Sequence, residues 1–142
     1  MPALTSIPFP DANATVKALL ADLAPTRLSV PQDFQPPLIV VKRIGGQPDV
    51  EDVTDFPIML VAVYGASYPA AQALMGQVQT RILSAPATLV SILDDNGDVT
   101  GTVLVDSTGI HVGEAEVPDV YPDDRRITST YQFGWRRQFP IG

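Results

Sequence analysis

Cysteine is absent from the sequence and histidine occurs once, as His111. Without cysteine there is no disulfide framework, no thiolate nucleophile and no zinc site with sulfur ligands. A lone histidine rules out a two-histidine metal site within one subunit. Long apolar runs are missing as well. Leu38–Val41 and Phe56–Tyr64 fall far short of the roughly 20 residues a membrane helix needs. No basic segment opens the chain, so a soluble protein without a secretory signal is expected. Bases are scarce, with 9 Lys and Arg against 16 Asp and Glu and a net charge of -7. That balance argues against a sequence-independent DNA clamp, which draws its affinity from clustered Lys and Arg.

What remains is a foldable chain. At 45% hydrophobic and 18% charged residues it is too apolar and too weakly charged for a disordered polymer. Its 142 residues make one domain, 1–142, large enough to bury a core without disulfide or metal staples. Residues 1–10 hold three prolines without periodicity and read as an extended arm ahead of an α+β core over 11–138.

Periodicity orders that core. Val16, Leu19, Leu20 and Leu23 recur at helical spacing, so a first helix is expected at about Asp11–Ala24, capped by Asp11 or Asn13 and closed by Pro25. The β-branched run Leu38–Ile44, bounded by Pro37 and Gly45-Gly46, predicts a strand that turns at the two glycines. After a loop over Gly45–Thr54, Asp55–Tyr64 is apolar at both parities. Phe56, Ile58 and Leu60 share one face and Met59, Val61 and Val63 the other, as in a central strand covered on both sides. Ser67 caps a second helix with Pro69 in its first turn, and Ala71, Leu74, Met75, Val78 and Ile82 form an uninterrupted stripe ending by Pro86. Strands are expected at Thr88–Leu93, Val99–Val105 and Ile110–Val112, with turns at Asp95-Asn96-Gly97 and Ser107-Thr108-Gly109. An acidic loop over Glu114–Asp124 precedes a last strand in which Ile127, Ser129, Tyr131, Phe133 and Trp135 alternate with polar neighbours. The order gives an α+β fold, a mixed and mainly antiparallel sheet packed against two helices, with a β-hairpin extension.

Candidate chemistry is sparse. Asp94, Asn96 and Asp98 have the 1, 3, 5 spacing of a calcium loop, but Val99 and Val105 stand where glycine and a bidentate Glu are required, so an Asn-Gly hairpin turn is the better reading. His111 with Glu114 or Glu116 would supply an acid–base pair for a small enzyme, although no nucleophile elbow or further carboxylate completes it. Gly45-Gly46 precedes no helix and lacks the Lys-Ser/Thr of a phosphate loop. Tyr131, Phe133 and Trp135 would stack bases, yet their shared face is the one the alternation buries. No catalytic, cofactor or metal residue emerges.

Charge placement is more informative. Thirteen of the 16 acids lie between Arg43 and Arg125, where the sole base is Arg81. They cluster at Asp49-Glu51-Asp52-Asp55 and over Asp94 to Asp124. A solvated acidic surface accounts for this, and so does a contact in which those acids meet Arg125 or Arg126 of a neighbouring subunit. The apolar excess of Phe56–Tyr64 likewise suits an assembly interface.

The unit Pro37-Leu-Ile-Val-Val-Lys-Arg-Ile-Gly-Gly46, the acidic loop, Asp55-Phe-Pro-Ile-Met-Leu-Val-Ala-Val-Tyr-Gly65 running into Ser67-Tyr-Pro-Ala-Ala-Gln-Ala-Leu74, and the ending Pro122-Asp-Asp-Arg-Arg-Ile-Thr-Ser-Thr-Tyr-Gln-Phe133 together resemble the tail terminator proteins of long-tailed, non-contractile bacteriophages. That resemblance implies a structural virion protein without cofactors. Such a protein forms a ring, usually a hexamer, that caps the tail tube, stops its polymerisation and joins tail to head. Its expected partners are its own copies, the major tail tube protein and the head–tail connector protein. DNA meets it only in passage through the ring, and no membrane is involved. It would be assembled in the host cytoplasm and sit at the head-proximal end of the tail. A head completion protein of the same viruses shares this size and a related fold and remains the alternative. In a ring, Asp49, Glu51, Asp52, Asp55, Arg125 and Arg126 are the interface candidates, and Glu114, Glu116 and Asp119 the candidates to line the pore.

Overall fold

A computed structural model describes residues 8–51, 53–116 and 126–136, with backbone alone over 113–116. Most of the expected arm and of the acidic loop before the last strand lie outside the described residues. Helix α1 spans Ala12–Leu20, and its N-cap Asp11 accepts a hydrogen bond from the Ala14 N–H at 3.1 Å. The helix stops short of Ala24, at Leu20, where the Leu23 N–H turns back onto the Leu20 carbonyl at 3.0 Å, and the residue before Pro25 lies beyond its end. The chain unwinds through a turn into a two-residue strand, β1 (Thr26–Arg27), which pairs parallel to β2 (Leu38–Pro48). So short a strand carries no periodic signal.

Strand β2 runs through the expected Gly45-Gly46 turn. A bulge between Arg43 and Gly45 absorbs the irregularity, and Gly46 takes φ +86°, where a Cβ would press on the Phe56 carbonyl. The glycines therefore allow a kinked strand to continue pairing. The reversal to β3 (Thr54–Tyr64) comes later, where the Asp49 carboxylate accepts from the N–H groups of Val53 at 2.8 Å and Thr54 at 3.3 Å.

Helix α2 (Tyr68–Leu83) follows the sequence expectation closely. The Ser67 hydroxyl oxygen accepts from the Ala70 N–H, and Ala71, Leu74, Met75, Val78 and Ile82 are all buried. Strands β4 (Leu89–Leu93) and β5 (Val99–Leu104) form a separate two-stranded sheet. The expected turn at Ser107-Thr108-Gly109 is instead extended backbone at the start of β6 (Ser107–Glu116), which also takes in the first residues of the predicted acidic loop. Its partner β7 (Arg126–Arg136) explains why. Ser107, Thr108 and Gly109 lie opposite Gly134, Phe133 and Gln132, so their backbone groups are satisfied by the ladder.

The larger sheet has the order β1-β2-β3-β7-β6, antiparallel except for β1 against β2. With two helices and the β4–β5 hairpin, this is the α+β architecture read from the sequence. The helices occupy one face. Ile39, Val41, Met59, Val61, Val63, Tyr131, Phe133 and Trp135 are fully buried there, and the Tyr131 hydroxyl reaches Met75 and Gln79 of α2. Arg81 fastens the two helices through Asp22, at 2.6 and 3.0 Å, and donates to the Leu19 carbonyl at the end of α1. Those charge-assisted bonds hold the Asp22 carboxyl below its ordinary range.

The opposite face departs from the expectation of two-sided cover. Phe56, Ile58 and Leu60 are only half-buried, because both helices pack on the Met59–Val61–Val63 side. A loop brings Phe34 edge-on against Tyr64, with ring centroids 5.2 Å apart, and at that corner Leu38 and Ala62 are buried. Since Leu74 sits on the covered side at 8% exposure, Leu74→Ala is expected to cost roughly 2–5 kcal/mol in urea unfolding. A loss below about 0.5 kcal/mol, within the range of surface substitutions, would contradict this packing.

Candidate assembly surface

The β2–β3 hairpin is held rigid at its outer end by one ion pair. Arg43 Nη1 and Nη2 meet Asp55 Oδ2 and Oδ1 at 2.8 and 3.0 Å, while Nε and Nη2 also donate to the carbonyls of Gly45 and Gly46 at 3.1 and 3.2 Å. The Arg43 N–H donates to Asn13 Oδ1 at 2.8 Å, tying this end of the hairpin to α1. Asp55 is 1% exposed. A bidentate fork of this kind fits a buried carboxylate and a bulged strand together, because guanidinium donors remain for the carbonyls that the bulge frees.

This geometry sorts the sequence candidates. The sequence shows four acids in the 49–55 stretch with no adjacent base, but folding brings Arg43 onto Asp55, so that charge is answered inside the subunit. Asp49 is occupied in the turn. Val50 is fully exposed and Glu51 is exposed at the tip, and Asp52 lies outside the described residues. Arg126 stands opposite Tyr64, at the far end of β3 from Asp55. Nine residues of extended strand separate the two ends, about 30 Å at ~3.3 Å per residue. The tip acids and Arg126 therefore do not meet within one subunit. Arg125 and Asp119 lie outside the described residues. Glu116 is opposite Ile127, with Glu114 on the same strand, so both belong to the Arg126 end of the sheet.

His111 is exposed at a register shift in the edge strand β6, and the described residues contain no cluster of three or more His, Asp or Glu that could hold a metal. Asp94 caps the β4–β5 turn, accepting from the N–H groups of Asn96 and Asp98 at 2.9 Å each, with Gly97 at φ +82°. It is the Asn-Gly turn expected from the sequence. The aromatics of β7 are core residues.

Sequence reasoning missed the outer side of the β4–β5 hairpin. Leu89 pairs with Leu104 and Leu93 with Val99, and these four are 66%, 47%, 56% and 47% exposed. Their counterparts Val90 and Val103 are buried against the body. In β3 a longer run makes a strand apolar at both parities recognisable; the five residues of β4 are too few for the same signal. Among the described residues the subunit thus carries two apolar surfaces that are partly open, the helix-free sheet face and the outer side of the hairpin.

A model of the family described as phage tail termination protein matches residues 8–140, nearly the whole chain. The chain belongs to this family. It is accordingly a structural component of the bacteriophage tail, in which such a protein associates with other tail proteins. No curated protein matches the chain significantly. Among the described residues no helix is long and apolar enough to cross a membrane. In this tail termination protein the Arg43–Asp55 clamp holds one end of the β2–β3 pair together. Arg43→Met would leave the buried Asp55 carboxylate without its counter-ion. A loss on the order of 3 kcal/mol is expected in urea unfolding of the purified protein, and a loss below about 1 kcal/mol, typical of an exposed pair, would show that the clamp carries little.

Proposed function

We propose that this tail termination protein forms a ring, six subunits in the form the resemblance implies, that caps the tube of a long, non-contractile tail and stops its polymerisation. The same ring presents a surface to the head–tail connector protein. It assembles from cytoplasmic subunits and ends at the head-proximal end of the tail, with the major tail tube protein as its other neighbour. The role is structural, without catalysis or cofactor. The observation that supports this most is the helix-free face of the sheet, where the half-buried Phe56, Ile58 and Leu60 sit on the central strand. An apolar face of that kind is finished by association. A ring needs two different complementary patches on each subunit, because a head-to-tail contact is heterologous. Glu51, at the hairpin tip, and Arg126, about 30 Å away along the sheet, are candidates to meet between neighbours, as are Asp52 and Arg125, which lie outside the described residues.

Electron microscopy of the purified protein with tail tubes tests this reading. Rings capping one end of tubes of uniform length are expected. Tubes that keep growing in its presence, or rings that bind head connectors and ignore tubes, would contradict it.

A ring on the tail axis must also pass DNA without holding it, and an acidic lining does so by denying phosphates any counterion-releasing contact. Glu114, Glu116 and Asp119 are the proposed lining. Replacing all three with Lys is expected to preserve tail length and to slow DNA ejection, more strongly at low ionic strength. Unchanged ejection kinetics from such virions would exclude these residues from the pore.

A further inference from the structure

The two partly open surfaces are complementary in charge as well as in polarity. Antiparallel register places Leu38, Val40, Lys42, Phe56, Ile58, Leu60, Arg126, Thr128, Gln132 and Arg136 on the helix-free face, and the parallel pairing of Arg27 with Val40 adds a further base. Every charged side chain among the described register positions of that face is basic, in a chain whose net charge is -7, and one of them, the largely exposed Arg136, reaches Asp106 of its own subunit at 3.7 Å. The hairpin is the reverse. Its residues 89–104 contain no base, and its turn holds Asp94, Asp95 and Asp98 beside the exposed Leu93 and Val99. Lys17 of α1 lines the cleft beneath that turn, but forms no ion pair with these acids among the described residues.

We infer that the outer side of the β4–β5 hairpin of one copy docks on the helix-free sheet face of the next. Leu89, Leu93, Val99 and Leu104 then meet Phe56, Ile58 and Leu60, while Asp95 and Asp98 meet Lys42 and Arg136. The inference deepens the ring reading and rests on it, since it requires self-association. A second copy is the occupant because it supplies both the apolar face and the opposite sign. The two patches differ, so the contact is heterologous and repeats from copy to copy, as ring closure demands. A two-stranded hairpin with one exposed apolar side is marginal by itself, and the neighbour's sheet completes its burial.

The absence of cysteine makes the contact directly testable. Single-cysteine proteins Ile58→Cys and Leu93→Cys, at partly exposed positions, are mixed in equal amounts at high concentration and mildly oxidised. The ratio of mixed disulfide dimer to homodimers is expected to exceed its statistical value about tenfold, a preference of about 1.4 kcal/mol. Asp95→Lys with Asp98→Lys on the Leu93→Cys protein should abolish that excess, and Lys42→Glu with Arg136→Glu on its partner should restore it. These charge reversals lie on exposed positions, so folding is not at stake. A statistical mixture from protein whose wild type forms rings by sedimentation would overturn the inference and leave the ring standing. A wild type that stays monomeric at every concentration, with a statistical mixture, would overturn both. Preferential cross-linking of Ile58→Cys to tail tube protein would assign the sheet face to the tube and overturn the inference as well.

Discussion

Two helices cover one face of a five-stranded sheet, and this sheet's middle strand is apolar at both parities. In β3, Met59, Val61 and Val63 take the helix side and are fully buried, while Phe56, Ile58 and Leu60 are left half-buried on the other. Burying apolar area stabilises by roughly 25 cal/mol per Å², so the uncovered face is a standing drive toward association. The position of β3 makes this unavoidable. It pairs with β2 on one side and β7 on the other, so its backbone has no free edge and its side chains are all it can offer a partner.

The rest of the architecture fits that constraint. The Arg43–Asp55 fork closes one end of the β2–β3 pair around a bulge and ties it to α1, so the open face is presented on a stiff frame. Phe34 covers the Tyr64 corner and leaves the middle open. Opposite in kind, the β4–β5 hairpin buries Val90 and Val103 and turns Leu89, Leu93, Val99 and Leu104 outward. One subunit thus carries an apolar basic face and an apolar acidic projection.

Much of this was legible in the sequence where a pattern persisted over several turns or many alternations. The stripe from Ala71 to Ile82 and the alternation from Ile127 to Trp135 each specify an element, its buried face and its partner side. Patterns failed where chemistry was ambiguous or short. Gly45-Gly46 and Ser107-Thr108-Gly109 read as turns from composition, but an adjacent strand with unsatisfied backbone groups drew both into the ladder. Strand β1 is two residues, below any periodic signal. Sidedness was the deeper omission. Composition marks β3 as apolar on both faces, but only three-dimensional packing shows that helices cover one of them. Among the candidate residues, the acids near the β2–β3 tip were identifiable as a cluster, whereas the role of Asp55 was hidden because its partner Arg43 lies twelve positions earlier. The hairpin acids are legible as a turn; their neighbours' exposure depends on which side the hairpin packs against.

Hydroxyl-radical footprinting of the free subunit and of assembled tails tests the central claim most directly, because it reads side-chain exposure without altering a residue. If the helix-free sheet face and the hairpin are the surfaces on which assembly depends, Phe56, Ile58, Leu60, Leu89 and Leu93 lose reactivity together on assembly, while exposed α2 residues on the far side, such as Leu83, change less. Equal reactivity of the sheet-face and hairpin residues in subunit and tail would contradict the account.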